Sequence, residues 1–84
     1  MADEIIAEVS EILKHIMENN TVPRNIRKAA EDSNTILNDK SEDQTLRVSS
    51  VILKLDDISN DPNIPVHART LIWEILSKLE SIKT

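Results

Sequence analysis

The chain has 84 residues, 30% of them charged, and a formal net charge of −5, which bounds it to one small acidic domain. It contains no Gly and no Cys, which excludes glycine-cradled phosphate loops, disulfides, thiolate nucleophiles and cysteine zinc sites. Its apolar runs are only a few residues long and its acidic balance opposes phosphate neutralisation, so a membrane span is excluded, nucleic acid is disfavoured, and the chain reads as cytoplasmic.

A period of 3.6 dominates from end to end. The first predicted helix covers about residues 3–19. Ile5, Ile6, Val9, Ile12, Leu13, Ile16 and Met17 fall on one face, and Glu4, Glu8, Glu11, His15 and Glu18 on the other. It is expected to stop at Asn19 and Asn20, because Asn replaces Gly at left-handed helix exits; Asn38 and Asn60 read the same way. The second helix, about 22–37, opens at Thr21, Val22 and Pro23, with Thr21 as N-cap. Its stripe is Val22, Ile26, Ala29, Ala30, Ser33 and Leu37, whose small centre predicts close approach to a neighbour.

Ser41 to Gln44 reads as a capping box for a third helix over about 42–59. Val48, Val51, Ile52, Leu55 and Ile58 form its main stripe, while Leu46 and Leu53 lie on nearly the opposite side. The fourth helix, about 64–82, opens at Asn63, Ile64 and Pro65. Ala68, Leu71, Ile72, Ile75, Leu76, Leu79 and Ile82 make a broad stripe, with Val66, Thr70, Trp73 and Ser77 on the reverse. Short loops force antiparallel neighbours. The expected fold is therefore an all-α antiparallel four-helix bundle, made of two helical hairpins, spanning residues 1–84 as one domain.

The two halves resemble one another. Val22 to Arg27 pairs with Ile64 to Arg69, and Ile12-Leu13-Lys14 with Ile52-Leu53-Lys54, at spacings near forty that are similar to HEAT-type repeats. Two repeats are too few for a free solenoid, so a closed bundle is expected. Arg27 and Arg69 sit at the edge of the apolar stripes, where each can lay its stem on the core and pair with Asp39, Asp57 or Asp61.

Each candidate site also has a plainer reading. His15 has Glu11 and Glu18 at helical spacing, which can gather metal ligands, but a solvated helix face explains the same pattern. His67 lacks a nearby acid on its own face. The run from Asp57 to Asn63 alternates oxygen-bearing side chains like a calcium loop, yet Pro62 and Ala68 stand where that loop needs Gly and Glu. There is no Glu-x-x-His pair for a di-metal bundle and no catalytic triad or acid pair to argue. The chain is expected not to be an enzyme and to carry no cofactor or metal.

The remaining feature is a second apolar surface. Trp73, the only aromatic residue, lies about 140° from the centre of its helix's core stripe at 100° per residue, and Leu46 and Leu53 form a similar off-core stripe. Trp and Arg are the residue types concentrated at interface hot spots. Leu46, Leu53, Val66, Arg69 and Trp73 are therefore the candidate partner-binding residues of a protein-interaction or scaffold module, whose partner is another protein or a second copy of the chain. The alternative is a nucleic-acid-associated accessory protein using Arg24, Arg27 and Lys28.

End to end, the chain resembles a family of small archaeal proteins known only as uncharacterised. The resemblance is carried by the Glu-rich start through Leu13, by Asn20 to Ala30, by Asp61 to Arg69, and by Trp73 to Leu76. It implies a short all-helical bundle and supplies no activity, substrate or site residue.

Overall fold

Four helices account for the described structure: α1 (Ala2–Met17), α2 (Arg24–Leu37), α3 (Gln44–Ser59) and α4 (Val66–Lys83). The structure is a computed structural model that describes residues 2–83. Each helix packs on its neighbour in sequence, and α1 also packs on α4, so the four close into a ring with no diagonal contact. The principal extents of 32 × 21 × 19 Å suit that arrangement. An 18-residue helix is about 27 Å long, and two helix diameters side by side make about 20 Å. The closure of α1 on α4 makes this a bundle rather than a solenoid fragment.

The stripes read from the sequence meet in one core. Val9, Leu13 and Ile16 of α1, Ile26, Ala30 and Leu37 of α2, Val48, Val51 and Leu55 of α3, and Ala68, Ile72, Ile75 and Leu79 of α4 form a single buried cluster. Val22 and Ile64, from the loops that precede α2 and α4, close its end. Ile5, Ile6, Ile12, Ile52, Leu71 and Leu76 are half-buried and pack against it. Ala29, Ala30 and Ser33 are all buried, as expected of a small-residue face, and the Ser33 hydroxyl has no hydrogen-bond partner there.

The helix ends differ from the sequence reading, for a reason that can be located. Three of the helices begin two residues later than expected, at Arg24, Gln44 and Val66, and α1 ends two residues earlier, at Met17. No described residue has positive φ, so the Asn residues do not terminate helices by left-handed backbone. Asn38 (φ −97°, ψ 5°) and Asn60 (φ −90°, ψ 0°) act through their side chains: each Nδ2 donates back one turn, to the carbonyls of Asn34 and Asp56. Nor do Thr21 and Ser41 cap helices. The flanking positions are Pro23 and Asp43, neither with a side-chain cap bond. Both hydroxyls instead donate to an Asx side chain two residues earlier, Thr21 to Asn19 Oδ1 at 2.7 Å and Ser41 to Asp39 Oδ1 at 2.6 Å.

These hydroxyls belong to a corner that occurs three times, over residues 18–23, 38–43 and 60–65. In each, an Asx side chain (Asn19, Asp39, Asp61) accepts the backbone N–H two residues on, from Thr21, Ser41 and Asn63 at 3.0, 3.0 and 2.8 Å. Its carbonyl accepts the N–H three residues on, from Val22, Glu42 and Ile64. This is the Asx-turn, which offers the chain a local alternative to helix. An Arg follows eight residues after each Asx: Arg27, Arg47 and Arg69. The internal similarity at forty-two residues is thus two occurrences of a corner whose third lies between them.

The guanidinium groups correct a further expectation, because they seek carbonyls and not carboxylates. Arg69 Nε donates to the Ser59 carbonyl at 3.2 Å, Arg47 Nη1 to Leu37 O at 2.8 Å, and Arg27 Nε to Val22 O at 3.0 Å.

Asp39 also carries a pH dependence. Hydrogen bonds from the Ser41 hydroxyl and N–H, with a smaller contribution from the Arg47 charge, hold its carboxyl below the ordinary carboxylate range. A group with a depressed folded pKa contributes stability above its unfolded pKa and loses it as pH falls through the folded value. Asn19 makes the same two bonds without a charge, so Asp39→Asn should leave the corner intact. The expected result is an unchanged melting temperature at neutral pH and a shallower decline below about pH 4. Identical acid limbs for the variant and the parent protein would refute it.

Candidate functional site

All four apolar candidates stand out from the core. Leu46 is 52% exposed, Leu53 72%, Val66 76% and Trp73 58%, and these are the exposed large hydrophobic residues among those described. They fall in two pairs spaced seven apart, one on α3 and one on α4, so each pair lies along one line of its helix, about 10.5 Å between members.

Neighbouring contacts fix which way the lines face. On α3, Arg47 and Lys54 follow Leu46 and Leu53 by one residue and mark the flank toward α2, reaching Leu37 O and Asp32. The leucines lie about 100° round the helix from that flank, on the solvent side. On α4, Lys78 reaches Glu8 of α1 at 2.8 Å, while Arg69 reaches the end of α3. Trp73 stands one turn above Arg69, on the α3 side of the outward face. Both lines therefore look outward from the α3–α4 pair.

Arg69 differs from the other four candidates. It is half-buried, and its guanidinium is turned toward the carbonyls of Ser59 and Asp61. Its first duty is to the fold. The third corner arginine, Arg47, was missed in the sequence, and its signal was the Asx eight residues before it. Its Nε is buried without a partner.

The other candidates are dispersed. His15 is exposed on α1. His67 Nε2 lies 3.2 Å from Asn19 Nδ2 and 3.4 Å from Thr21 Oγ1, joining the start of α4 to the first corner. Asp61, in the loop that mimics a calcium site, accepts the Asn63 N–H and the Asn25 amide. Among the described residues, no group of three or more His, Asp or Glu is placed to hold a metal ion. Of the three cations weighed for nucleic acid, Arg27 is tied to Val22 O and Lys28 sits 3.2 Å from Asp32. The hydrogen bond and charge of Asp32, with Glu31 adding, hold the Lys28 ammonium above its ordinary pKa.

Two grooves lie elsewhere on the bundle. One groove, of about 480 Å³, is formed by the start of α1, the end of α2 and the second corner, including Asp3, Lys40 and Arg47. Another, at the opposite end, contains Met17, Arg24 and Glu31. Neither contains a member of the exposed lines. No helix of the described residues is long and apolar enough to cross a membrane.

The sequence profile of the uncharacterised protein family UPF0147 matches residues 1–82. The chain belongs to that family. A UPF0147 protein of Methanothermobacter thermautotrophicus is 69% identical over 99% of this chain and 81% of its own length. One from Thermococcus kodakarensis is 44% identical over 95% and 98%. Among solved structures, a UPF0147 protein of Thermoplasma acidophilum superposes with a TM-score of 0.91 at 40% identity, covering 95% of this chain and 94% of that one. A second crystal structure, of a protein of unknown function, gives 0.92 at 44% identity over 98% and 93%. The all-helical archaeal family expected from the sequence is the one found, and UPF0147 brings no assigned activity.

Proposed function

We propose that this protein is a non-enzymatic interaction module that works in the cytoplasm and docks another protein on the outward face of α3 and α4. The observation that carries the reading is the exposure of Leu46, Leu53, Val66 and Trp73 in a bundle whose core is complete without them. Single exposed hydrophobic residues are ordinary, but two aligned pairs on adjacent helices, with Trp among them, have the composition of an interface centre. The face lies outside both of the grooves described above, as suits a macromolecular partner better than a small molecule.

Trp73→Lys tests the reading in two steps. Its melting temperature should stay within about 4 °C of the parent protein, since surface changes rarely exceed about 0.5 kcal/mol. With the fold intact, the variant should lose a protein that the parent retains from archaeal lysate. An unchanged set of retained proteins would refute the proposal. A large drop in the stability of a monomer would instead make Trp73 a packing residue.

A further inference from the structure

We infer that the occupant of the α3–α4 face is a cationic amphipathic helix of another protein, an inference that rests on the docking reading above. The argument comes from where the charges point. The described cations of these two helices with a placed side chain are all turned away from the face. Arg47 goes to the Leu37 carbonyl and Lys54 to Asp32, both toward α2. Arg69 goes to the Ser59 carbonyl at the end of α3, and Lys78 to Glu8 of α1.

The carboxylates do the opposite. Asp56 and Asp57, three and four residues after Leu53, are exposed one turn along its line. The face thus has an apolar centre, an anionic margin and, among the described side chains, no cation directed into it.

That pattern selects among possible occupants. A symmetric dimer through this face would set carboxylate against carboxylate between two chains of net charge −5. Phosphate-rich partners, whether nucleic acid or an anionic lipid surface, meet the same repulsion. A helix with Lys or Arg along both edges of an apolar stripe meets none of it. Its apolar positions, recurring every two turns, match the seven-residue spacing of Leu46 with Leu53 and of Val66 with Trp73.

The test uses synthetic peptides of about 18 residues, long enough to form a helix on binding. One is an amphipathic Leu/Lys helix, the second its Leu/Glu counterpart, and the third a scrambled Leu/Lys peptide without an apolar face. None contains Trp, so the emission of Trp73 reports on the site alone. The Leu/Lys helix should shift that emission to the blue and bind at least about tenfold more tightly than either control. Leu53→Ser should weaken binding, and so should the combined variant Asp56→Asn, Asp57→Asn, each by about tenfold.

Equal binding of the Leu/Glu helix would overturn the charge selection while leaving the docking face standing. A dimer in sedimentation equilibrium that Leu53→Ser dissociates would do the same. If neither amphipathic peptide binds better than the scramble and the chain is monomeric, both the inference and the docking reading fall.

Discussion

Truncation of Leu55 to Ala is expected to cost about 3 kcal/mol, whereas the same change at Leu53 moves stability by no more than about 0.5 kcal/mol. The two leucines stand two residues apart on α3, so helix propensity and chain position are nearly matched. What differs is the side of the helix. Leu55 is 1% exposed within the core cluster, and Leu53 is 72% exposed. Removing the Leu55 side chain forfeits its transfer free energy and leaves a cavity that surrounding residues only partly close. Leu53 gives up contacts with water and little else.

For a domain of this size about 3 kcal/mol is a large share of a total near 5–13 kcal/mol, and it lowers the melting temperature by about 12–24 °C. Urea unfolding followed by helical circular dichroism measures both variants. Equal losses, or the reverse order, would overturn the assignment of the two faces, and with it the exposed surface on which the function proposal stands.

That contrast was legible in the sequence because it depends only on angle. At 100° per residue, Leu55 joins Val48 and Val51 while Leu53 falls opposite, and helix packing in the bundle preserved that division. Trp73 was placed by the same arithmetic. In a ring of four helices each one touches two neighbours, which leaves an outward arc where an apolar residue stays in solvent.

The corners were less legible, since they depend on which of two local hydrogen-bonding patterns, N-cap or Asx-turn, prevails. Thr21 and Ser41 precede helices and have the chemistry of N-caps, whose hydroxyl oxygen accepts an N–H of the first turn, but here each hydroxyl donates to an Asx side chain two residues earlier, which accepts the same residue's backbone N–H as well. The helix then starts two residues later. The role of Asn19, Asn38 and Asn60 was read from backbone preference, whereas their side-chain amides and carbonyls do the terminating. Arg47 gives the weaker signal because the helix after its corner follows Asp43, where the other two follow Pro23 and Pro65.

The corner arginines have the second large effect. When the Asp61 side chain takes the Asn63 N–H, the Ser59 carbonyl near the end of α3 loses the amide that a continuing helix would return to it. The intervening position, Pro62, has no N–H to offer. Arg69 fills the vacancy at 3.2 Å from the next helix. At the second corner Ser41 gives its N–H to Asp39, and Arg47 supplies Leu37 O at 2.8 Å.

Replacing Arg69 with Met keeps most of the stem packing and removes the donor, so the Ser59 carbonyl is left unpaired on a residue only 8% exposed. A charged hydrogen bond of this kind contributes about 1.5–3 kcal/mol, and Arg69→Met is expected to cost about 2 kcal/mol. Arg47→Met should cost a similar amount. The two corners share no partner, so the losses should add to within about 0.5 kcal/mol in the double variant. Arg69→Lys should recover only part of the loss, because an ammonium lacks the rigid fork that reaches both Ser59 O and Asp61 O. Amide hydrogen exchange at Asn63 and Ile64 should quicken in Arg69→Met before any change at the opposite end of the bundle. If Arg69→Met unfolds at the same urea concentration as the parent protein, the guanidinium does not hold the corner, and Arg69 returns to the list of residues available to a partner.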